Sequence, residues 1–427
     1  MSRHLASAVA LVLVASAACS SVGPPADGGI AVAAANVPRA SASPEDARAA
    51  ARAINAFGLD LYRRVAGAGG NVVVSPASIA LALAMARAGA RGATADEMDA
   101  VLRDVATDAN APWLNALDQA LATRSGTFKD TTGQQLDVTL RIANAPFAQR
   151  DMTLQPAYLE ALATRFGAGL RLVDYIRESE AARRLINGWV DGQTEHRIPE
   201  LLVPGVLTPD TRLALVNAIY LKAPWLTPFL ADATKPGPFT RADGSTVEVP
   251  MMSLGAALPY AEGDGWRAVE LPYVGGSLAL TVIVPDDLAR FEATLDAEGL
   301  AAIIGAFAER EVSLVLPKFG IATKAQLKDV LTALGMPSAF DPDRADFSGI
   351  TAEERLYITD VIHQANIDVD EMGTEAAAAT AVVMGTTSAP AEPVSLRVDR
   401  PFLFALRDLP TGTVLFLGRV ADPSTER

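Results

Sequence analysis

Between two apolar runs that read as strands, 358–369 and 401–407, lies a connection that neither an ordinary loop nor a packed helix explains. It begins Glu371-Met372-Gly373-Thr374-Glu375, continues through Ala376, Ala377, Ala378, Ala379, Thr380, Ala381, Val382, Val383 and Met384, and ends in a Gly, Thr, Ser, Ala and Pro stretch reaching Pro393. Structureless connections of more than about 12–15 residues are uncommon inside compact domains and usually have a function. Taken with period two, Thr374, Ala376, Ala378, Thr380, Val382 and Met384 share one face, which becomes more apolar toward its far end and suits the interior of a sheet. The intervening Glu375, Ala377, Ala379, Ala381 and Val383 are small except for the first and the last, and a segment that slides between two existing strands cannot carry bulk or unpaired charge through the gap. Gly373 supplies a hinge. The stretch therefore fits two homes, an exposed loop and a central strand. Composition alone also allows an Ala-rich surface helix or a spacer, so the neighbouring motifs decide.

Those neighbours read as one large mixed domain. Ser43-Pro44-Glu45-Asp46 offers a serine cap, a proline and two acids in a first helical turn. Ile54, Phe57, Leu61 and Val65 then recur at helical spacing, which predicts a helix over 44–66. Further helices are predicted over 78–88, where the Ala-rich composition indicates burial on most sides, and over 154–166 and 178–194. Short β-branched and apolar runs at 213–222, 279–284, 311–316 and 414–420 read as strands bounded by Pro, Gly and Asp. With no internal repeat and no linker, 44–422 is expected to be a single α/β domain with helices packed on large sheets, and 423–427 a tail.

Ahead of that domain, Arg3 and His4 precede an apolar run from Leu5 to Ala18 that ends at Cys19, an export signal too short to span about 30 Å of hydrocarbon. Cys19 is the only cysteine, so no disulfide can form within the chain and stability must come from packing. Ser16-Ala17-Ala18-Cys19 resembles the lipobox of bacterial lipoproteins, in which the cysteine is lipidated and tethers the protein to a membrane. Ser16 departs from the bulky aliphatic residue usual there, and cleavage near Ala15-Ser16-Ala17 with release of the protein is the alternative. Residues 20–43, rich in Ala, Pro, Gly and Ser, read as a flexible linker.

Charge and side-chain inventory exclude several functions. Fifty acidic against 36 basic residues give a net charge of -14, and no basic cluster breaks that average, so neither a nucleic-acid surface nor a heparin site is expected. Of three histidines, His4 lies in the signal segment, leaving His196 and His363. That pair rules out a histidine-rich metal site within one chain, no cofactor is expected, and a hydrolase built on His363 lacks the usual motifs.

The chain resembles the serpin family along almost the whole domain. Glu371 to Thr380 looks like the proximal hinge of inhibitory members. Asn71 to Ile79 with Gly89-Ala90-Arg91-Gly92 resembles the buried second helix and the loop after it, and Ile186-Asn187-Gly188-Trp189 to Ile198 the helix crossing the main sheet. Val216 to Lys222 with Trp225, Leu316-Pro317-Lys318-Phe319, Ile358 to Ala365 and Leu415 to Val420 add further matches in the family's order. His196, where glycine is common, and Ala223-Pro224, where a glycine-containing pair is usual, depart from the pattern.

The resemblance implies a mixed α/β fold with three β-sheets, eight or nine helices and an exposed reactive-centre loop at 371–393. It implies a monomeric suicide inhibitor, not an enzyme, that forms a covalent 1:1 complex with a serine protease. Its hinge would be Glu371, Gly373, Thr374, Glu375, Ala376, Ala377, Ala378, Ala379 and Thr380, and its shutter and breach Ser75, Ser78, Asn217, His363 and Trp225. Family spacing puts the scissile bond at Thr387-Ser388, with Met384 the alternative. Thr387 would suit an elastase-like pocket, Met384 a chymotrypsin-like one, and subtilisin-like proteases also accept small residues. A non-inhibitory serpin acting as a binding protein or plain substrate is the rival, although such members normally carry charge, bulk or proline in the hinge.

Overall fold

Ser43 opens the first helix as its sequence predicts: its Oγ accepts the Asp46 N–H at 3.1 Å, Pro44 follows, and α1 runs Pro44–Ala66. The computed structural model describes residues 29–67, 69–130, 133–375 and 393–425. Cys19, the hinge residues Ala376, Ala377, Ala378, Ala379 and Thr380, and Met384, Thr387 and Ser388 lie outside the described residues.

Helix α2 (Pro76–Arg87) starts two residues before its predicted Ser78, because Ser75 caps it and Pro76 is preorganised for the first turn. Every residue of α2 is buried, as its Ala-rich composition requires. The other helices are α3 (Gly92–Val101), α4 (Ala111–Ala122), α5 (Pro156–Phe166), α6 (Tyr175–Gln193), α7 (Leu288–Thr294), α8 (Ala297–Gly305) and α9 (Lys328–Leu334). Asp174 caps α6 ahead of the predicted Glu178, which instead marks a kink with φ -139° and ψ 44°.

The main sheet has the order β1 (Ala31–Ala33), β5 (Leu170–Val173), β4 (Gln135–Gln149), β6 (Leu213–Pro224), β14 (Gly373–Thr374), β13 (Val361–Val369) and β12 (Phe319–Gln326), and β3 (Gly126–Lys129) pairs with β4 to one side. The second sheet runs β15 (Val394–Arg397), β11 (Ala308–Pro317), β8 (Thr246–Gly263), β9 (Trp266–Pro272), β10 (Leu278–Pro285), β16 (Phe402–Asp408), β17 (Thr413–Val420) and β2 (Val72–Val74), with β7 (Lys235–Thr240) beside β8. Because the long β8 pairs with β7, β11 and β9 along its length, hydrogen bonding is continuous through what the family pattern divides into a second and a third sheet.

The two faces of β6 separate two cores. Leu213, Leu215, Ile219, Leu221 and Ala223 point into the large core around α2, whereas Val216 and Ala218 join Ile186, Trp189 and Val190 of α6 on the opposite face. Helix α6 thus covers the outer face of the main sheet.

The segment expected as a free linker is tied down from Gly29 onward. Ala31, Val32 and Ala33 pair with Leu172, Arg171 and Leu170, and Ile30 is buried in the α6 cluster. Gly169 makes this approach feasible, since a Cβ there would lie 2.6 Å from Val32 and 2.9 Å from the Ala33 carbonyl. Arg39 reaches α4, pairing with Asp118 at 2.6 Å. Low charge and small residues, read as the mark of a linker, equally suit an added edge strand: an unpaired edge offers backbone partners to any short segment that reaches it.

Candidate functional site at the parted main sheet

Strands β6 and β13 are parallel and hydrogen-bonded only along their lower part, from Val361↔Leu215 to Gln364↔Ala218. Within this contact, one pair below the point where the strands part, the shutter residues meet around His363, which is fully buried. Its Nδ1 lies 2.6 Å from Asn217 Oδ1, and its Nε2 accepts the Ser75 N–H at 3.2 Å. An acceptor on one side and a donor on the other fix the neutral tautomer with the proton on Nδ1. Burial pushes the imidazole pKa down to about 3. Ser78, capped by Ser75, donates from Oγ to Asn144 Oδ1 at 3.1 Å. Asn144 sits opposite Asn217 on β4; Ala143-Asn144-Ala145 resembles an early strand of the main sheet in the family, but the sequence did not mark Asn144 as a member of this cluster. Asn217 Nδ2 is buried without a hydrogen-bond partner among the described residues.

Above Gln364 the two strands part, and at the top the start of the long connection already stands between them. Gly373 pairs with Pro224, and Thr374 pairs with Ala223 on one side and Val369 on the other, antiparallel to both strands. Gly373 has φ 154°, and a Cβ on it would meet the Ala223 carbonyl oxygen at 2.2 Å, so only glycine fits. Thr374 is 2% exposed, with its hydroxyl 2.6 Å from that of Tyr273, which burial keeps protonated by raising its pKa.

Trp225 closes this end. Its backbone N–H donates to the Met372 carbonyl at 2.9 Å, its indole N–H donates to the Asp370 carbonyl at 2.9 Å, and its ring stacks on Tyr273 with centroids 4.5 Å apart. Asp370 Oδ1 accepts the backbone N–H groups of Met372 and Gly373. Glu371 takes Lys318 Nζ at 2.7 Å and the Thr234 hydroxyl at 2.7 Å. Burial raises its pKa, but these two donors outweigh that effect and hold the carboxyl below its ordinary range. Of the predicted hinge, Glu371, Gly373 and Thr374 are therefore brought together near Trp225, Glu375 follows against the Asp368 carbonyl, and Ser75, Ser78, Asn217 and His363 form a second group lower on the same strands.

The seam between β6 and β13 is thus closed below and held apart above by the root of the long connection. Residues 52–423 match the family Serpin (serine protease inhibitor). The chain belongs to the serpin family. An uncharacterized serpin-like protein of Thermococcus kodakarensis is 41% identical over 376 residues, 87% of this chain and 85% of that protein. Leukocyte elastase inhibitor A of Mus musculus is 34% identical over 385 residues, 86% of this chain and 97% of its own length. The crystal structure of the thermophilic serpin tengpin in its native state superposes with a TM-score of 0.80 at 26% identity, covering 92% of this chain and 99% of tengpin.

Membership in this family supports a protease-inhibitory, non-catalytic role with a serine protease as partner. Both departures from the family pattern have a local account in this serpin. Glu195 and His196 have φ of 49° and 64°, the left-handed region where glycine is at ease, and His196 is held there by a 2.7 Å contact from Nδ1 to Asp191. Pro224 brings no N–H to the ladder; its carbonyl accepts from Val274 at 2.9 Å, and the N–H that meets the root of the connection is that of Trp225, donating to the Met372 carbonyl at 2.9 Å.

Proposed function

We propose that this serpin is an irreversible suicide inhibitor of serine endopeptidases. The observation that carries the reading is the wedge: Gly373 and Thr374 already occupy the first positions of a strand between β6 and β13. In the proposed reaction the target's serine Oγ attacks the carbonyl of Thr387, the Thr387-Ser388 bond breaks, and the Ser388 amine leaves carrying a proton, so that an acyl-enzyme remains. Freed at that end, residues 374–386 enter the main sheet. The register of Thr374 against Ala223 and Val369 then sets Thr380 opposite Asn217 and His363, and Met384 opposite Leu213 at the end of β6. The even-numbered residues face the large core, as Thr374 does, and the Thr380 hydroxyl offers an acceptor to Asn217 Nδ2. About a dozen new backbone hydrogen bonds at roughly 0.5–1.5 kcal/mol each, with apolar burial at about 25 cal/mol per Å², exceed about 10 kcal/mol. A displacement of about 1 Å in the captured active site already costs on the order of a hundredfold in rate, so deacylation stops.

A small uncharged residue at the scissile bond suits an elastase-like target, and one relative is named an elastase inhibitor. Incubation with elastase, chymotrypsin and subtilisin is expected to give an SDS-resistant 1:1 complex, with the released peptide beginning at Ser388. A fragment beginning at Gly385 would assign Met384 instead, and clipping without a complex across all three proteases would reject inhibition in favour of a binding or substrate role. We further propose that the protein is monomeric and exported, and anchored through lipidated Cys19. Partition of wild type into detergent and of Cys19→Ala into buffer is the expected outcome; wild type in buffer would indicate release after cleavage near Ala17.

A further inference from the structure

Glu375 is where the described chain leaves the main sheet, and it does so under constraint. Its φ of 51° is left-handed, uncommon for a residue with this side chain, and the side chain is only 3% exposed. Its N–H donates to the Asp368 carbonyl at 3.1 Å, which sets two acidic residues next to each other at the edge of the gap. Arg197 faces both: its Nε is 3.3 Å from Glu375 Oε2 and its Nη1 is 3.6 Å from Asp368 Oδ2.

Arg197 belongs to the turn that follows α6, and this turn spans the opening. Glu195 pairs with Arg141 of β4 at 2.6 Å, while the Arg197 carbonyl accepts from Asn366 Nδ2 of β13 at 3.1 Å. One short turn is thus fastened to β4 on one side of the gap, to β13 on the other, and to the hinge between them.

We propose that Arg197 is the positioning residue for strand insertion: its guanidinium keeps the Glu375 carboxylate buried beside Asp368 and so sets how far the hinge is already inserted before cleavage. This rests on the inhibitory reading. Without that cation, a nearly buried carboxylate next to a like charge is driven toward solvent, and residues 373–375 leave the sheet. The cleaved chain then has to begin insertion from outside, and more acyl-enzyme hydrolyses before it is trapped. An extended Glu375 would stand in register with Lys222 and Asp368 on the α6 face, still within the reach of Arg197, so the guanidinium accompanies the transition and does not block it.

The test uses the full chain with Arg197→Met, Arg197→Lys, Glu375→Gln and the Arg197→Met/Glu375→Gln pair. Hydrogen exchange at Thr374 and Glu375 is followed together with the number of inhibitor molecules consumed per protease trapped. Arg197→Met is expected to speed exchange about tenfold or more and to raise the consumption ratio severalfold. Lysine should retain most of the wild-type behaviour, and Glu375→Gln should restore both readouts in the Met background by removing the charge that needed a partner. Wild-type exchange in Arg197→Met, or no rescue by Glu375→Gln, overturns the proposal, because a merely structural defect in the α6 turn would not be relieved by neutralising Glu375. Should Arg197→Met fail to fold, Arg197→Gln takes its place alone and with Glu375→Gln, and the same outcomes decide: faster exchange relieved by Glu375→Gln supports the proposal, while wild-type exchange or no relief overturns it. If wild type traps no protease, the exchange arm still tests Arg197, while the missing complex counts against the inhibitory reading alone.

Discussion

His363 joins strand β13, the cap of α2 and Asn217 of β6 through one neutral ring. Its pKa is lowered to about 3 by burial, against an ordinary value near 6.5. As pH falls through the ordinary value the unfolded chain takes the proton first, so stability present above that point is lost progressively down to about 3, by at most about 1.4 kcal/mol per pH unit. His363→Gln, which cannot titrate, is expected to flatten this part of the stability profile. Urea denaturation of both proteins at intervals between pH 7 and pH 4 would measure the difference, and parallel profiles would show that the burial of His363 is not coupled to its protonation. Gly373 was legible as a hinge from its place before an alanine run, but the reason for glycine was not: it is the Ala223 carbonyl at 2.2 Å from an imagined Cβ, an atom on a strand about 150 residues earlier in the chain.

Elements were legible where a local rule marked them. Helix α1 runs Pro44–Ala66 as predicted because cap, proline and periodic apolar residues all lie within the helix itself. Strand β1 was not legible, since Ala31–Ala33 carries no alternation and becomes a strand only through the free edge of β5. Removing residues before Asn36 is expected to lower stability by about 2–3 kcal/mol, chiefly through the loss of Ile30 burial. Comparison of melting curves for full-length and shortened chains tests this, and identical curves would mean that the edge strand contributes nothing net. Strand β14 is the extreme case: two residues, Gly373–Thr374, defined wholly by the neighbours that part to admit them.

For the whole molecule, the inhibitory reading proposed above requires a native state held by kinetics, with the cleaved, inserted form lying deeper. Cutting the loop near Thr387 is therefore expected to raise the melting temperature by roughly 10 °C or more. The uncut protein should show an apparent melting point that shifts with heating rate. Differential scanning calorimetry before and after limited proteolysis makes the comparison, and an unchanged melting temperature would exclude strand insertion.

What the sequence determined by itself was the class of the fold and the order of its motifs, because periodicity and caps are written within a few residues of the backbone they organise. Tertiary structure decided that His363 meets Ser75 and Asn217, that Arg197 meets Glu375, and that Gly373 and Thr374 stand in the sheet. These pairings join residues far apart in the chain, and which of them become neighbours depends on strand order and register, to which no local pattern of side chains is sensitive.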